Sequence, residues 1–285
     1  MSSHRHHRRK KRTLLPALSA ITLLAAGFLY WSNTALQVTR FDPVFAALPT
    51  GFSGCRIVVL SDTHSMSFGE DQSHLLETVA AQDPDYIFFL GDMTDRFRTV
   101  PEGYVETLAR GLATIAPTYY VTGNHEWANG NVPALKQTLT DLGITVLSNR
   151  YVKLERNGDS IILAGIDDPN GYADQKTPEE LAAELYAAEG DPFWMLLTHR
   201  NDRFADQYSL LGADLVLAGH AHGGIVRLPF TDGVFDHGGL FPSYTAGFYE
   251  ENNSVLFATR GLGSSTLAYR VCNRPEVAVL TLHHE

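Results

Sequence analysis

Six short apolar runs recur along the middle of the chain: "RIVVL" (56–60), "YIFFL" (86–90), "TYYV" (118–121), "IILAG" (161–165), "FWMLL" (193–197) and "DLVLA" (214–218). Runs this short and this nearly unbroken suit strands covered on both faces. Helical periodicity lies between them and predicts helices over 71–82, 102–113, 132–142, 178–189 and 203–211. The fourth carries its own start signal: Thr177, then Pro178 at the first helical position and Glu180 three residues after the cap. Strand–helix alternation predicts an α/β layered domain. After residue 224 the pattern changes to short segments broken by Gly, Pro and Asn, as in "FYEENNSVLFATR", which predicts a β-rich and antiparallel end.

The N-terminus reads differently. "LLPALSAITLLAAGFLYW" (14–31) has no charge, and a helix of that length spans about 27 Å, close to the ~30 Å hydrocarbon core of a bilayer. Tyr30 and Trp31 stand at its far end, where aromatic residues favour the interface. Arg5, Arg8, Arg9, Lys10, Lys11 and Arg12 precede it. The pattern predicts a basic tail over 1–12, a transmembrane or signal-anchor helix over 13–31, a juxtamembrane linker or first irregular strand over 32–54 and a catalytic domain over 55–285. The positive flank predicts a single pass of the cell membrane with the domain extracytoplasmic. Secretion after signal cleavage is the alternative, although no small-x-small cleavage site stands out.

Beyond residue 12 the chain carries 16 basic and 32 acidic residues. That balance argues against a nucleic-acid-binding surface, which needs a basic footprint. Cys55 and Cys272 lack the spacing of a metal site, and either a disulfide or two free thiols is compatible with the sequence.

Candidate chemistry sits where the apolar runs stop. "SDTH" supplies Asp62 and His64, "GDMTD" Asp92 and Asp95, "TGNHE" Asn124 and His125, "TH" His199, and "GHAH" His220 and His222. A single Asp or His after a strand is usually a turn residue or a cap. Five runs ending this way are harder to dismiss, because ligands of open α/β sheets bind outside the carboxyl ends of the strands. The set offers carboxylate, imidazole and amide oxygen but no thiolate, which suits Mn²⁺, Fe or Zn²⁺. Asp62/His64 and His220/His222 are two apart, so on extended backbone each pair would point one way. The ligand-type residues outnumber what one ion with open positions uses, and two ions sharing a carboxylate fit better.

In order and spacing, these blocks resemble the calcineurin-like metallophosphoesterases. The extended "GHAHGGIVRLPF", with the N-terminal segment, is similar to the YaeI/YkuE-type branch of membrane-associated bacterial phosphodiesterases. The resemblance implies an αββα sandwich with a dimetal site at its strand ends. One ion would be held by Asp62, His64, Asp92 and His222, the other by Asp92, Asn124, His199 and His220, with Asp92 bridging. His125 would be the general acid, with Asp95 as its carboxylate partner. "THRND" departs from relatives that carry a proline after this histidine, which touches the loop shape and not the ligand.

The chemistry expected is in-line attack on phosphorus by a metal-bridging hydroxide, with His125 as a cation protonating the leaving oxygen. The function expected is a phosphodiesterase. The rivals are a pyrophosphatase acting on a nucleotide-linked sugar lipid and a non-catalytic scaffold on the same fold, against which the intact ligand set argues. Arg96 and Arg200 border ligand blocks, as phosphate contacts or as surface cations. Phe230, Phe235, Phe241, Tyr244, Phe248 and Tyr249 follow the last ligands, as core of the terminal sheet or as an apolar wall for a lipid-linked phosphate ester.

Overall fold

A computed structural model of the chain describes residues 4–172, 175–228, 232–236, 239–265 and 269–285, with side chains from residue 16 onward. Two six-stranded mixed sheets lie face to face. The first runs, edge to edge, Gln37–Phe41, Glu276–Thr281, Arg56–Leu60, Tyr86–Phe89, Thr118–Tyr120 and Thr145–Val146. The last four are parallel neighbours, while Glu276–Thr281 pairs antiparallel with Arg56–Leu60. The second runs Gly247–Glu251, Ser254–Ala258, Leu215–Ala218, Trp194–Leu197, Asp159–Gly165 and Arg150–Arg156. Its inner pairings are parallel and its two outer ones antiparallel hairpins.

Successive strand residues face opposite ways, and here both ways are inside. Ile57, Val59 and Phe88 meet Leu163, Met195, Leu197 and Leu217 between the sheets. Val58, Leu60, Ile87 and Phe89 face outward against Leu75 and Val79 of helix Ser73–Ala80 and Leu108 and Leu112 of helix Tyr104–Ile115. On the far side Ile162, Leu196 and Val216 meet Leu181 and Leu185 of helix Pro178–Glu189. This double burial is why the runs are apolar without alternation, and each such side chain contributes about 1.5–3 kcal/mol. Helix Pro178–Glu189 opens as its sequence predicts: Thr177 Oγ1 accepts from Glu180 N (3.2 Å), and Glu180 Oε2 accepts from Thr177 N (2.9 Å).

Several expectations need correction. Residues 203–211 form turns ending in a 3-10 turn, Tyr208–Leu210, although Phe204, Tyr208 and Leu211 are buried at helix-like spacing. Of the two readings of residues 32–54, a juxtamembrane linker or the domain's first irregular strand, the structure has the strand. Gln37–Phe41 pairs in parallel with Glu276–Thr281, and Leu48 and Phe52 lie in the inter-sheet core. Pro43, Pro49, Gly51 and Gly54 break the periodicity that would have shown this.

The N-terminal helix runs His4–Thr34. Leu18, Ile21, Leu23, Leu24 and Tyr30 are each more than half exposed. Among the described residues no helix is long and apolar enough to cross a membrane, and residues 13–15 of the expected span lie outside the described side chains.

Cys55 is buried and Cys272 exposed, both as free thiols. Burial, then Asp85, pushes the Cys55 thiol up to about 12. A thiol-reactive probe is therefore expected to label Cys272 in the folded protein and Cys55 only on unfolding. Equal labelling rates, read by mass spectrometry, would contradict this.

Candidate metal centre

Both sheets deliver polar residues to one rim, just past Leu60, Phe89, Tyr120, Leu197 and Ala218. The backbone there is not extended. Asp62 (φ 56°), His64 (47°), Asp92 (51°), His220 (68°) and His222 (50°) are all left-handed. Such conformations cost non-glycine residues of order 1–3 kcal/mol each, and they persist where the surroundings fix them. Loop-to-loop hydrogen bonds do the fixing: Asp62 N to Gly91 O (3.0 Å), His64 N to Asp92 O (3.0 Å) and Ser65 N to Met93 O (3.1 Å). The expectation that residues two apart point one way therefore fails for His220 and His222, which join different groups. Two glycines are sterically required. A Cβ on Gly91 (φ 84°) would overlap the Gly123 backbone, and one on Gly123 would overlap the Asp92 carboxylate.

Three groups of donors form: Asp62, His64 and His222; Asp92, His199 and His220; and His64, Asp95 and His125. Asp92 touches the first two. In the first, His64 Nε2 lies 3.3 Å from His222 Nε2, and each is 3.7 Å from Asp62 Oδ1. In the second, His199 Nε2 lies 3.2 Å from Asn124 Oδ1 and 3.1 Å from His220 Nδ1. Asp92 Oδ2 stands 3.7 Å from His64 Nε2 and 3.2 Å from His199 Nε2. All seven expected ligands are thus brought together. His199 Nδ1 donates to Leu90 O (2.7 Å) and His222 Nδ1 to Gly263 O (3.1 Å). Those bonds turn each Nε2 inward, so that in the neutral ring its lone pair would face a metal.

The electrostatics match a cation. Burial raises the Asp62 and Asp92 carboxyls, yet the imidazoles, His222 for Asp62 and His199 for Asp92 foremost, outweigh it and hold both below the ordinary range. Burial opposes a proton on His199 and His64, yet Asp92 carries His199 up to about 10, and Asp62 and Asp95 carry His64 up to about 9. The pocket therefore draws positive charge. Asp62 Oδ1 is buried with no hydrogen-bond partner, an acceptor with a lone pair to give. An O/N donor set of this kind fits divalent ions.

Asp95 and His125 differ from expectation. Arg96 N donates to His125 Nδ1 (3.1 Å), and Phe97 N to Asp95 Oδ1 (2.6 Å). Asp95 Oδ1 stays 3.7 Å from His125 Nδ1, while its Oδ2 is 3.4 Å from His64 Nδ1. Burial pulls His125 down to about 4, against Asp92 and Asp95. His125 Nδ1 is thus an acceptor from Arg96 N here, and Asp95 Oδ1 lies beyond hydrogen-bond distance of it.

Three supporting residues carried no role in the sequence reading. Buried Glu126 accepts from Asp92 N (2.9 Å), Thr94 N (2.9 Å) and Gly123 N (2.8 Å), tying two ligand loops together. Its signal was the acid directly after the Asn124–His125 pair. Glu126→Ala leaves those three donors without a side-chain acceptor and is expected to destabilise by about 2–4 kcal/mol; thermal unfolding measures it, and an unchanged Tm would contradict it. Asp168, just past the fourth apolar run, accepts from Arg200 Nε (2.7 Å), and Arg200 NH1 stands 3.2 Å from His220 Nε2. Arg200 is therefore part of the site and not a surface cation. Arg270, discussed below, gave no signal at all.

Asp92, Arg96, Phe97, Asn124, His125, Arg200, His220 and Ser265 line a cleft of about 230 Å³ over these groups. No described aromatic of 235–249 lines it. Phe248 packs on Phe41 and Phe257, and Tyr244 on Phe204, while Phe230 lies outside the described residues. Among the described residues, these aromatics follow the core reading rather than the wall.

Residues 55–224 match the family profile described as calcineurin-like phosphoesterase. The chain is 30% identical over 282 residues to metallophosphoesterase YkuE of Bacillus subtilis, covering 93% of each protein. It is 26% identical over 268 residues to metallophosphoesterase YkoQ of the same organism, covering 91% of this chain and 96% of that one. It is 30% identical over 284 residues to a transmembrane protein with metallophosphoesterase domain of Danio rerio, covering 95% of this chain and 63% of that protein.

Proposed function

From the premise that this chain belongs to the calcineurin-like phosphoesterase family, we propose that it is a phosphodiesterase dependent on two divalent ions and working at a membrane surface. The observation that carries the two-ion reading is the Asp92 carboxylate, with Oδ2 between the two donor groups. Asp62, His64, Asp92 and His222 would hold one ion, and Asp92, Asn124, His199 and His220 the other. Bound there, the ions supply Lewis acidity to the phosphoryl oxygens and an acidified water.

The chain's own residues do the rest. Arg200, braced by Asp168, and Arg96, which also lines the cleft, bind the non-bridging oxygens. His125 donates its Nε2 proton to the leaving alkoxide as its imidazolium form. That form needs Nδ1–H turned from the Arg96 contact to Asp95 Oδ1, 3.7 Å away.

The membrane reading is supported by the exposed apolar side chains of the N-terminal helix and the basic block before it. Protease added outside intact cells should digest the catalytic domain; protection until lysis would contradict an extracytoplasmic site. A pocket of about 420 Å³ shares Arg96 with the cleft and is lined by Arg98, Val100, Pro101, Val105 and Leu135. Apolar walls beside arginines suit the alcohol part of an acylated phosphodiester. In vesicles the full-length chain should show higher kcat/KM on acylated than on soluble phosphodiesters of matched head group; no gain would contradict an apolar substrate.

A further inference from the structure

The N-terminal helix ends against the outer side of the metal centre. In its last turn Asn33 grips the backbone of Arg270, with Nδ2 donating to Arg270 O (3.0 Å) and Oδ1 accepting from Arg270 N (2.8 Å). Arg274 holds the next residues, with Nε donating to Ala35 O (3.0 Å) and its guanidinium 4.8 Å from the Trp31 ring. The helix therefore joins the domain through a fixed contact, not a slack linker.

Arg270 turns inward. Its side chain is buried, 1% exposed, and forms no ion pair among the described residues. Nε donates to Gly263 O (2.9 Å), and NH2 donates to the same oxygen and to Arg260 O (2.8 Å). Gly263 O is also the acceptor of His222 Nδ1, and Arg270 NH2 lies 3.4 Å from that nitrogen. Burying a guanidinium without a carboxylate is a poor way to gain stability, and an apolar side chain of that volume would serve better. What the guanidinium supplies is a fixed, polarised carbonyl. A carbonyl held by other donors is set in position and orients the imidazole bonded to it.

We propose that the N-terminal helix is a working part of the metal centre, with Asn33 positioning Arg270 and Arg270 fixing the Gly263 carbonyl that orients His222. The inference rests on the reading of His222 as a ligand. Asn33 and Arg270 are positioning residues, since neither touches substrate. A shift of the helix relative to the domain would be felt at the Asp62, His64 and His222 group. His199, in the group with Asn124 and His220, is held elsewhere, through Leu90 O, so that group would feel it less.

The test compares full-length Asn33→Ala and Arg270→Lys with the parent chain. Thr34→Ala serves as control, because it removes a hydrogen bond to Tyr30 O within the same helix and leaves Arg270 alone. Calorimetric Mn²⁺ titration should show one of two sites weakened ten- to a hundredfold in both variants and neither in the control, the usual effect of losing an outer partner of a ligand. Arg270→Lys keeps the charge without the fork and should not rescue. In metal-free protein labelled with ¹⁵N-histidine, the His222 Nδ1 proton should exchange faster in both variants. Unchanged exchange and two unchanged sites would overturn the relay, and so would equal weakening of both sites. A parent chain that binds no Mn²⁺ would instead overturn the metal reading, and the exchange measurement would still decide the relay. If Asn33→Ala does not fold, Arg270→Lys answers alone.

Discussion

Asp92→Ala is expected to strip both metal groups and to lower kcat/KM by about a thousandfold or more. Asp92 Oδ2 is the only described carboxylate oxygen within 4.0 Å of imidazoles from both groups, His64 and His199. Oδ1 also accepts from His125 N at 2.8 Å, so the same side chain seats the proton donor. Metal ions supply several kcal/mol of charge stabilisation in the transition state, and each 1.36 kcal/mol is a factor of ten in rate. Asp92→Asn keeps the shape and most hydrogen bonds and removes the charge. It should stay folded by circular dichroism and still lose metal. Elemental analysis and steady-state kinetics check both variants. An Asp92→Ala protein with a full metal complement would show that each group holds its ion unaided.

His125→Ala should behave in the opposite way, keeping its metals and losing turnover. His125 sits on the cleft wall with Nε2 4.0 Å from Asp92 Oδ2, outside the two groups that Asp92 joins and in a third with His64 and Asp95. General acid catalysis contributes about 10²–10⁴-fold. The loss should be largest for alkyl phosphodiesters, whose leaving alkoxide needs a proton. It should shrink for nitrophenyl esters, whose leaving group does not. Comparing kcat over a series of leaving groups measures this. An equal loss across the series would assign His125 to binding. Asp95→Asn should show the same trend more weakly, because its Oδ1 is the acceptor the protonated ring requires.

The candidate ligand set was legible in the sequence because a buried parallel strand is nearly all apolar, which makes the first polar residues after it conspicuous. The same rule extends to Asp168, which lies just past the fourth run and braces Arg200. Other features left no such mark. Gln37–Phe41 and Arg150–Arg156 are edge strands rich in polar residues, and their place comes from partners far along the chain. The short helix Asn124–Asn129 is too brief for periodicity to show. The left-handed turns that split His220 from His222 arise from contacts between loops, so reading those residues as extended strand put them on one side. Arg270 is one arginine among many in the sequence, and its meaning lies wholly in the carbonyl it shares with His222.

The most direct test is a Mn²⁺ titration of the metal-free full-length chain while hydrolysis of bis(4-nitrophenyl) phosphate is followed. Two ions per chain should bind, and activity should rise with the second and saturate there. Full activity at one ion or none, or two bound ions without hydrolysis, would contradict the account.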